Sequence, residues 1–280
     1  MSVGAAAERR GAGRQARRSA AKYAAVVRTQ LAHGLAYPAD LVMRSLTIVI
    51  FMWVFIHLWR STYATTGQAS VRGLTLNDTL WYLVLAESIT LSKPRVATAI
   101  ALAVRDGSVA YQLSKPYNFL GYQAAVTVGD ALVRGWVTVL LGGALVAVMI
   151  GPPPSMLGWP LALVAVIAGW LIDFCMATLI GLMAFVIEDV AAFEWIYSKL
   201  ILVLGGVLLP LDFLPDGFRR VAEALPFAYT TWAPARLFVS PDPALFVRLF
   251  GIQLAWLAGL ALLVAMVHRQ CTTRLAVNGG

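Results

Sequence analysis

The side chains able to do chemistry are few, and they interrupt long apolar runs. Glu87, Asp130, Arg134, Asp173 and Lys199 each stand inside such a run. A charge near the centre of a bilayer costs about 2.5–3.5 kcal/mol on insertion scales, so each is a candidate for function. Asp130 and Arg134 are four residues apart, on one face of a helix, where they neutralise each other. Glu87 and Asp173 stand near the middles of their runs. Either residue lines a polar path or pairs with a base inside a bundle, and both readings stay open. Lys199 stands near the start of its run. Its long stem snorkels to the interface or reaches Glu194, with a place on a substrate path as the third reading. Glu188, Asp189 and Glu194 make an acidic turn that reads either as solvated surface or as a gate.

Motifs for other chemistry are missing from the sequence. There is no G-x-x-x-x-G-K-[ST] loop, so the chain cannot cradle ATP phosphates in the usual way. His33, His57 and His268 are scattered, without H-E-x-x-H spacing, and no G-x-S-x-G elbow occurs. Cys175 and Cys271 form no zinc or disulfide pattern. The chain is therefore expected to hold no catalytic, cofactor or metal site and not to act as an enzyme by itself.

The elements that must position these residues are membrane helices. Hydrophobic residues make up 60% of the 280, charged ones only 13%, and the mean hydropathy is +0.75. Soluble domains carry about 25% charged residues. The expected fold is all-α integral membrane, with six transmembrane helices at about 39–59, 77–99, 120–150, 157–187, 195–211 and 245–267. Residues 20–36 are expected to form an N-terminal interfacial helix, with a plain N-terminal extension of the first span as the alternative. Tyr23, Ala24, Val27, Leu31 and Leu35 share one face of it, and Lys22, Thr29, Gln30 and His33 the other. The domain reading is a basic cytoplasmic tail at 1–19, one transmembrane domain at 20–270 and a cytoplasmic C-terminal tail at 271–280.

Charge placement orients the chain. Arg9, Arg10, Arg14, Arg17, Arg18, Lys22 and Arg28 crowd the start, and Lys93, Arg95, Arg105, Lys115, Arg269 and Arg274 fall on the same side. The opposite side holds Arg60, Arg72, Arg219, Arg220, Arg236 and Arg248. The bias puts both termini in the cytoplasm of a multi-pass protein of the cell (plasma) membrane. Beside apolar helices a basic tail marks the anionic leaflet, so membrane lipids are expected partners and nucleic acid is not.

Outer segment 210–243 holds six of the thirteen prolines, together with Phe213, Phe218, Phe227, Tyr229, Trp232 and Phe238. It is too apolar for a free loop and too broken for a span. Short outer helices dipping into the protein are expected, with Phe218, Val221, Ala222 and Leu225 on one face and Arg219, Arg220 and Glu223 facing away. Gly205-Gly206 just before it allows close approach or bending. On the cytoplasmic side, Asp106-Gly107 favours a turn and helix start, and Lys115-Pro116 an end.

This layout resembles the ABC type-2 exporter permeases, the small stand-alone six-span transmembrane subunits of ABC transporters. One matching stretch is Val104-Arg105-Asp106-Gly107-Ser108-Val109-Ala110-Tyr111-Gln112-Leu113-Ser114-Lys115-Pro116. The other is Gly206-Val207-Leu208-Leu209-Pro210-Leu211-Asp212-Phe213-Leu214-Pro215, followed by Leu225-Pro226-Phe227. The resemblance implies a dimer, formed with a second copy or a related permease, that binds two cytoplasmic ATP-binding subunits. ATP and Mg would be bound by those subunits and none by this chain. It implies a cytoplasmic coupling helix whose ATPase contact is Val104, Arg105, Asp106, Gly107 and Tyr111; an ordinary polar loop is the plain alternative. It further implies outward transport of a hydrophobic or amphiphilic substrate by alternating access. Glu87, Asp173 and Lys199 would line the path, and Pro210, Phe213, Pro215, Pro226 and Phe227 the outer gate. One rival reading is a proton-coupled secondary transporter using Glu87 or Asp173. A membrane scaffold or integral-membrane enzyme is the other.

Overall fold

The computed structural model describes residues 21–36, 38–113, 115, 117–187 and 189–278. The readings placed on the 1–19 tail, Ser114, Pro116 and Glu188 therefore lie outside the described residues. The chain opens with α1 (21–36) and α2 (Pro38–Thr66), then a hairpin of β1 (Ser70–Val71) and β2 (Leu74–Thr75). Next come α3 (Leu76–Ser92), α4 (Val96–Arg105), α5 (Ser108–Leu113), α6 (Phe119–Met149) and α7 (Gly158–Leu182). They are followed by α8 (Ala191–Leu204), α9 (Asp216–Glu223), α10 (Trp232–Val239) and α11 (Pro243–Asn278).

Among the described residues, four helices are long and apolar enough to cross a membrane: Leu41–Thr66, Phe119–Met149, Gly158–Phe185 and Pro243–Cys271. They answer to the first, third, fourth and sixth expected spans. The other two come out shorter. α3 has 17 residues and α8 has 14, under the ~20 that cover the hydrocarbon. The expected second span ran through Pro94, but the chain breaks at Lys93. Its ψ of 129° is the extended geometry that a following proline favours. The expected fifth span ran through Gly205-Gly206, where α8 ends and Gly206 turns to φ 71°. The last helix continues to Asn278, so the expected C-terminal tail is mostly helical backbone.

α3 lies at the centre, packed by α2, α6 and α10, with Tyr82, Leu83 and Ala86 wholly buried. A reciprocal cap starts it. The Asp78 amide donates to Thr75 Oγ1 at 3.2 Å, and the Thr75 amide donates to Asp78 Oδ2 at 2.9 Å. The hairpin before it is one small exception to an all-α fold. Arg72 at φ 49° and Gly73 at φ 82° make its two-residue turn, and Leu74 plugs the core beneath. This end of the bundle also carries the 150–157 turn, since the Trp81 indole N–H donates to the Gly151 carbonyl at 3.1 Å. It is called the hairpin end below. α4, α5 and the start of α8 mark the opposite end.

α7 is the most enclosed long helix, with 67% of its most apolar stretch buried against 11% for α11. Exposed apolar side chains such as Ile50, Trp53 and Val54 on α2 and Leu254 and Leu262 on α11 suit a lipid surround. α1 differs from the expected in-plane helix. Tyr23 sits against Gly121, Val27 and Gln30 against Gly129, and Gly34 against Val133. The two helices thus run side by side in ascending register. The bare backbones at Gly121 and Gly129 make the groove that Gln30, read as part of the polar face, helps to fill.

Candidate functional site

Three places concentrate polar side chains in the bundle. The first lies where α3 gives way to α4. The Pro94 break puts Lys93 beside α7, and its ammonium donates to Asp173 Oδ1 at 2.9 Å. The Tyr197 hydroxyl, from α8, donates to the same oxygen at 2.6 Å. The Lys93 and Asp173 side chains are only 12% and 8% exposed. One turn along α4, the Thr98 hydroxyl donates to Glu194 Oε2 at 2.6 Å. Two polar contacts therefore tie the α3–α4 corner to α7 and α8. They border a cavity of about 170 Å³ that Arg95 also lines. α4 lies close on α7 because Gly181 has no side chain; a Cβ there would sit 2.8 Å from that of Ile100.

The other membrane-depth charges part ways. Glu87 is 6% exposed in α3, and no described residue hydrogen-bonds or ion-pairs with it. Asp130 and Arg134 are 3.8 Å apart, the same-helix pair their spacing predicts. Lys199 is exposed, with its ammonium 5.4 Å from the centre of the Trp195 ring. It makes no ion pair with Glu194, whose Oε2 accepts from the Thr98 hydroxyl. Asp189 caps α8 by accepting from the Ala191 amide at 2.9 Å.

The second place is the turn between α4 and α5. Val104 is half-buried, and Arg105, Asp106 and Gly107 are exposed at its tip. Gly107 has φ 75°, a conformation that favours glycine. The Ser108 amide donates to Asp106 Oδ1 at 2.9 Å. Hydrogen bonds from the Ser108 backbone and side chain hold the Asp106 carboxyl below its ordinary pKa. Tyr111 is 68% exposed, with the Lys115 ammonium 4.7 Å from its ring centre. The helix feeding this turn escaped the sequence reading, which merged it with the second span. Its signal was Pro94, followed by apolar residues at 96, 97, 100 and 101.

The third place is the segment from Gly206 to Val239. Pro210 and Pro226 are buried, Phe213 and Phe227 half-buried, and Pro215 exposed. Asp212, passed over as a site residue, is the polar centre of this segment and is 4% exposed. The Trp232 indole donates to its Oδ2 at 2.9 Å, while Arg236 and Arg219 approach Oδ1 at 3.6 and 3.7 Å. Arg219 thus turns toward the protein, where an outward face was expected. Partial burial opposes its charge. The Glu223 hydrogen bond and the charges of Asp212, Glu223 and Asp216 outweigh that and raise its pKa. Phe213 stacks obliquely on Trp59 at 5.1 Å. The one-turn helix Pro226–Tyr229 dips inward, and the Gln253 amide donates to the carbonyls of Tyr229 and Ala165 at 2.8 and 2.9 Å. Its Phe227 reaches Tyr197 at 6.2 Å between ring centres. Contacts thus run without a gap from Lys93 through Asp173 and Tyr197 to Phe227.

Over residues 41–279 the sequence matches the family described as ABC-2 family transporter protein. The chain belongs to this family. It is a permease component of an ABC transporter and a multi-pass membrane protein, and membership implies partnership with an ATP-binding subunit. None of the curated proteins matches the chain. Membership gives no support to the proton-coupled reading. The ion pair with Lys93 already engages Asp173, one of the two residues on which that reading relies.

Proposed function

We propose that the chain is the membrane half of an ATP-driven exporter, moving a hydrophobic or amphiphilic substrate outward. Two permeases pair, the second being another copy or a related chain, and two cytoplasmic ATP-binding subunits hold the ATP and Mg. The hairpin end faces outward, and the α4–α5 turn and both termini face the cytoplasm of the plasma membrane, as the cation bias favours. α3 and α8 complete six crossings. The inward-dipping segment fills the depth that the short α8 leaves.

The observation that carries this reading is the double tether of the α3–α4 corner and α4. Val104, Arg105, Asp106, Gly107 and Tyr111 offer an exposed, capped turn for an ATPase groove. ATPase closure pushes that turn. The α3–α4 corner is held to α7 and α8 by Lys93–Asp173–Tyr197, and α4 itself to α8 by Thr98–Glu194, so the push reaches α8 and, through Phe227, the outer segment. Pro210, Phe213, Pro215, Pro226 and Phe227 then act as the outer gate. Glu87, Asp173 and Lys199 border the path.

α8 suits a meeting surface between permeases. Among its side chains only Ile201 is buried, while Trp195 and Ile196 are 62% and 50% exposed. The test is an Arg105→Ala, Asp106→Ala double variant. Residues along a coupling route change coupling by about 0.5–2 kcal/mol, roughly 2- to 30-fold. Transport per ATP hydrolysed falls within that range while membrane insertion is unchanged. Wild-type transport by the double variant overturns the coupling role.

A further inference from the structure

The tethers of the α3–α4 corner leave charges unanswered around the cavity of about 170 Å³ that they border. Both hydrogen bonds to Asp173 fall on Oδ1, and the Thr98 bond to Glu194 falls on Oε2. Asp173 Oδ2 and Glu194 Oε1 have no partner among the described residues, and neither atom is sealed off. Both residues line the cavity. Asp173 is otherwise buried, so the surface its open oxygen keeps faces this space.

Donors line the same space. Arg95 is exposed at its edge, and its guanidinium has no partner among the described residues. α4 begins beside it without a side-chain cap, at Val96 and Ala97, which also line the cavity. The first amides of a helix have no partner within it and, with the helix dipole, favour an anion. Lys93 is taken up by Asp173. One cation and one anion, Arg95 and Glu194, therefore share a cavity and form no ion pair with each other.

A ligand that answers both carries an anion and a cation of its own. A phosphate suits Arg95 and the helix start. A primary ammonium suits the carboxylates, because its N–H groups donate to Glu194 Oε1 and Asp173 Oδ2, whereas a quaternary ammonium has none to donate. The cavity is slightly larger than one that holds a benzene-sized ring, enough for a phosphate joined to an ethylammonium and too little for acyl chains. Asp173 lies about 22 Å along α7 from Gly158 at the hairpin end, against about 30 Å of hydrocarbon. That is the depth at which the far leaflet gives way to headgroups. Exposed Leu200 and Val203 on α8 continue from the cavity as apolar surface for the chains.

We propose that this cavity binds the headgroup of a lipid with a primary ammonium and a phosphate, such as phosphatidylethanolamine. The phosphate sits at Arg95 and the start of α4, and the ammonium at Glu194 and Asp173. That the leaflet is the cytoplasmic one rests on the orientation proposed above; the ligand chemistry does not, and the test reads binding alone.

The full chain is placed in phosphatidylglycerol nanodiscs with one of two photoprobes, a phosphatidylethanolamine or a phosphatidylcholine, each with a diazirine at the start of one acyl chain. The ethanolamine probe is expected to saturate, to label the start of α4 and α8 between Tyr197 and Val203, and to reach half-saturation at a roughly 10-fold lower mole fraction than the choline probe. Arg95→Glu, at an exposed position where folding is little affected, should weaken both probes. Glu194→Gln keeps an acceptor for Thr98 and should erase most of the preference for ethanolamine. Equal half-saturation by the two probes overturns the ammonium site. Label that rises linearly and spreads over α2 and α11 marks ordinary lipid contact and overturns the proposal. A preference unchanged in both variants also overturns it, since Arg95 and Glu194 then answer each other. Water-soluble glycerophosphoethanolamine should displace little of the label; displacement as complete as by unlabelled phosphatidylethanolamine overturns the lipid as ligand.

Discussion

Removing one side of a buried ion pair strands the other, and Asp173 with Lys93 is such a pair, 2.9 Å apart. Asp173→Ala leaves a buried ammonium, so a loss of about 3–5 kcal/mol is expected in thermal unfolding of the purified chain. Replacing both, as Lys93→Met with Asp173→Leu, should recover most of that stability. It should not recover coupled transport, because the α3–α4 corner is no longer aligned on α8 through Tyr197. A double variant that transports normally reduces the pair to packing. Gly206→Ala is expected to destabilise by about 1–2 kcal/mol from its left-handed backbone alone, and its Cβ would lie 2.7 Å from the Tyr82 hydroxyl. Retained thermal stability contradicts this. The depressed pKa of Asp106 means its cap is fully present above the unfolded value of about 3.9 and fades as pH falls through the lower folded one. Coupling should therefore be insensitive to this carboxyl between about pH 5 and 8. Some of these partners were readable and some were not. Asp130 and Arg134 share a helix face, so spacing alone pairs them. Lys93 and Asp173 are 80 residues apart and meet only once Pro94 bends the chain.

Breakers explain where the element reading succeeded and failed. The long spans near 120–150 and 157–187 are bounded by Asn118 and the Gly151-Pro152-Pro153-Pro154 turn, and the helices begin within a residue of expectation. α3 and α8 were read too long, because hydropathy runs on through Pro94 and through Gly205-Gly206 while the backbone does not. The hairpin was missed because its turn is Arg72-Gly73 rather than the familiar Asn-Gly, and its strands are two residues each. α1 has a period that fits an in-plane helix, yet only the glycines of α6 show where it lies. On the proposed mechanism the Pro94 break is the root of the coupling corner. Pro94→Ala lets α3 run on into α4 and swings Lys93 away from Asp173. Transport per ATP should fall as in the Arg105–Asp106 double variant, with insertion intact. Unimpaired transport by Pro94→Ala removes the corner from the mechanism.

Half-exposed indole and aliphatic side chains on α8, and the largely bare α11, describe a chain built for an apolar surround and for company within it. Composition alone told of the membrane, and two short motifs told of the family. The tether from α4 to the outer segment needed three-dimensional contacts between helices far apart in the chain. On the proposed mechanism this permease works only as part of an assembly with ATP-binding subunits. Its most direct test is to tag the chain, extract it from its native membrane in gentle detergent and identify every protein retained, with stoichiometry. A soluble ATPase is expected in equal number with the permeases, with either a second copy of this chain or one related six-span protein beside it. A chain that purifies alone, under conditions that keep a known complex of this type together, contradicts it.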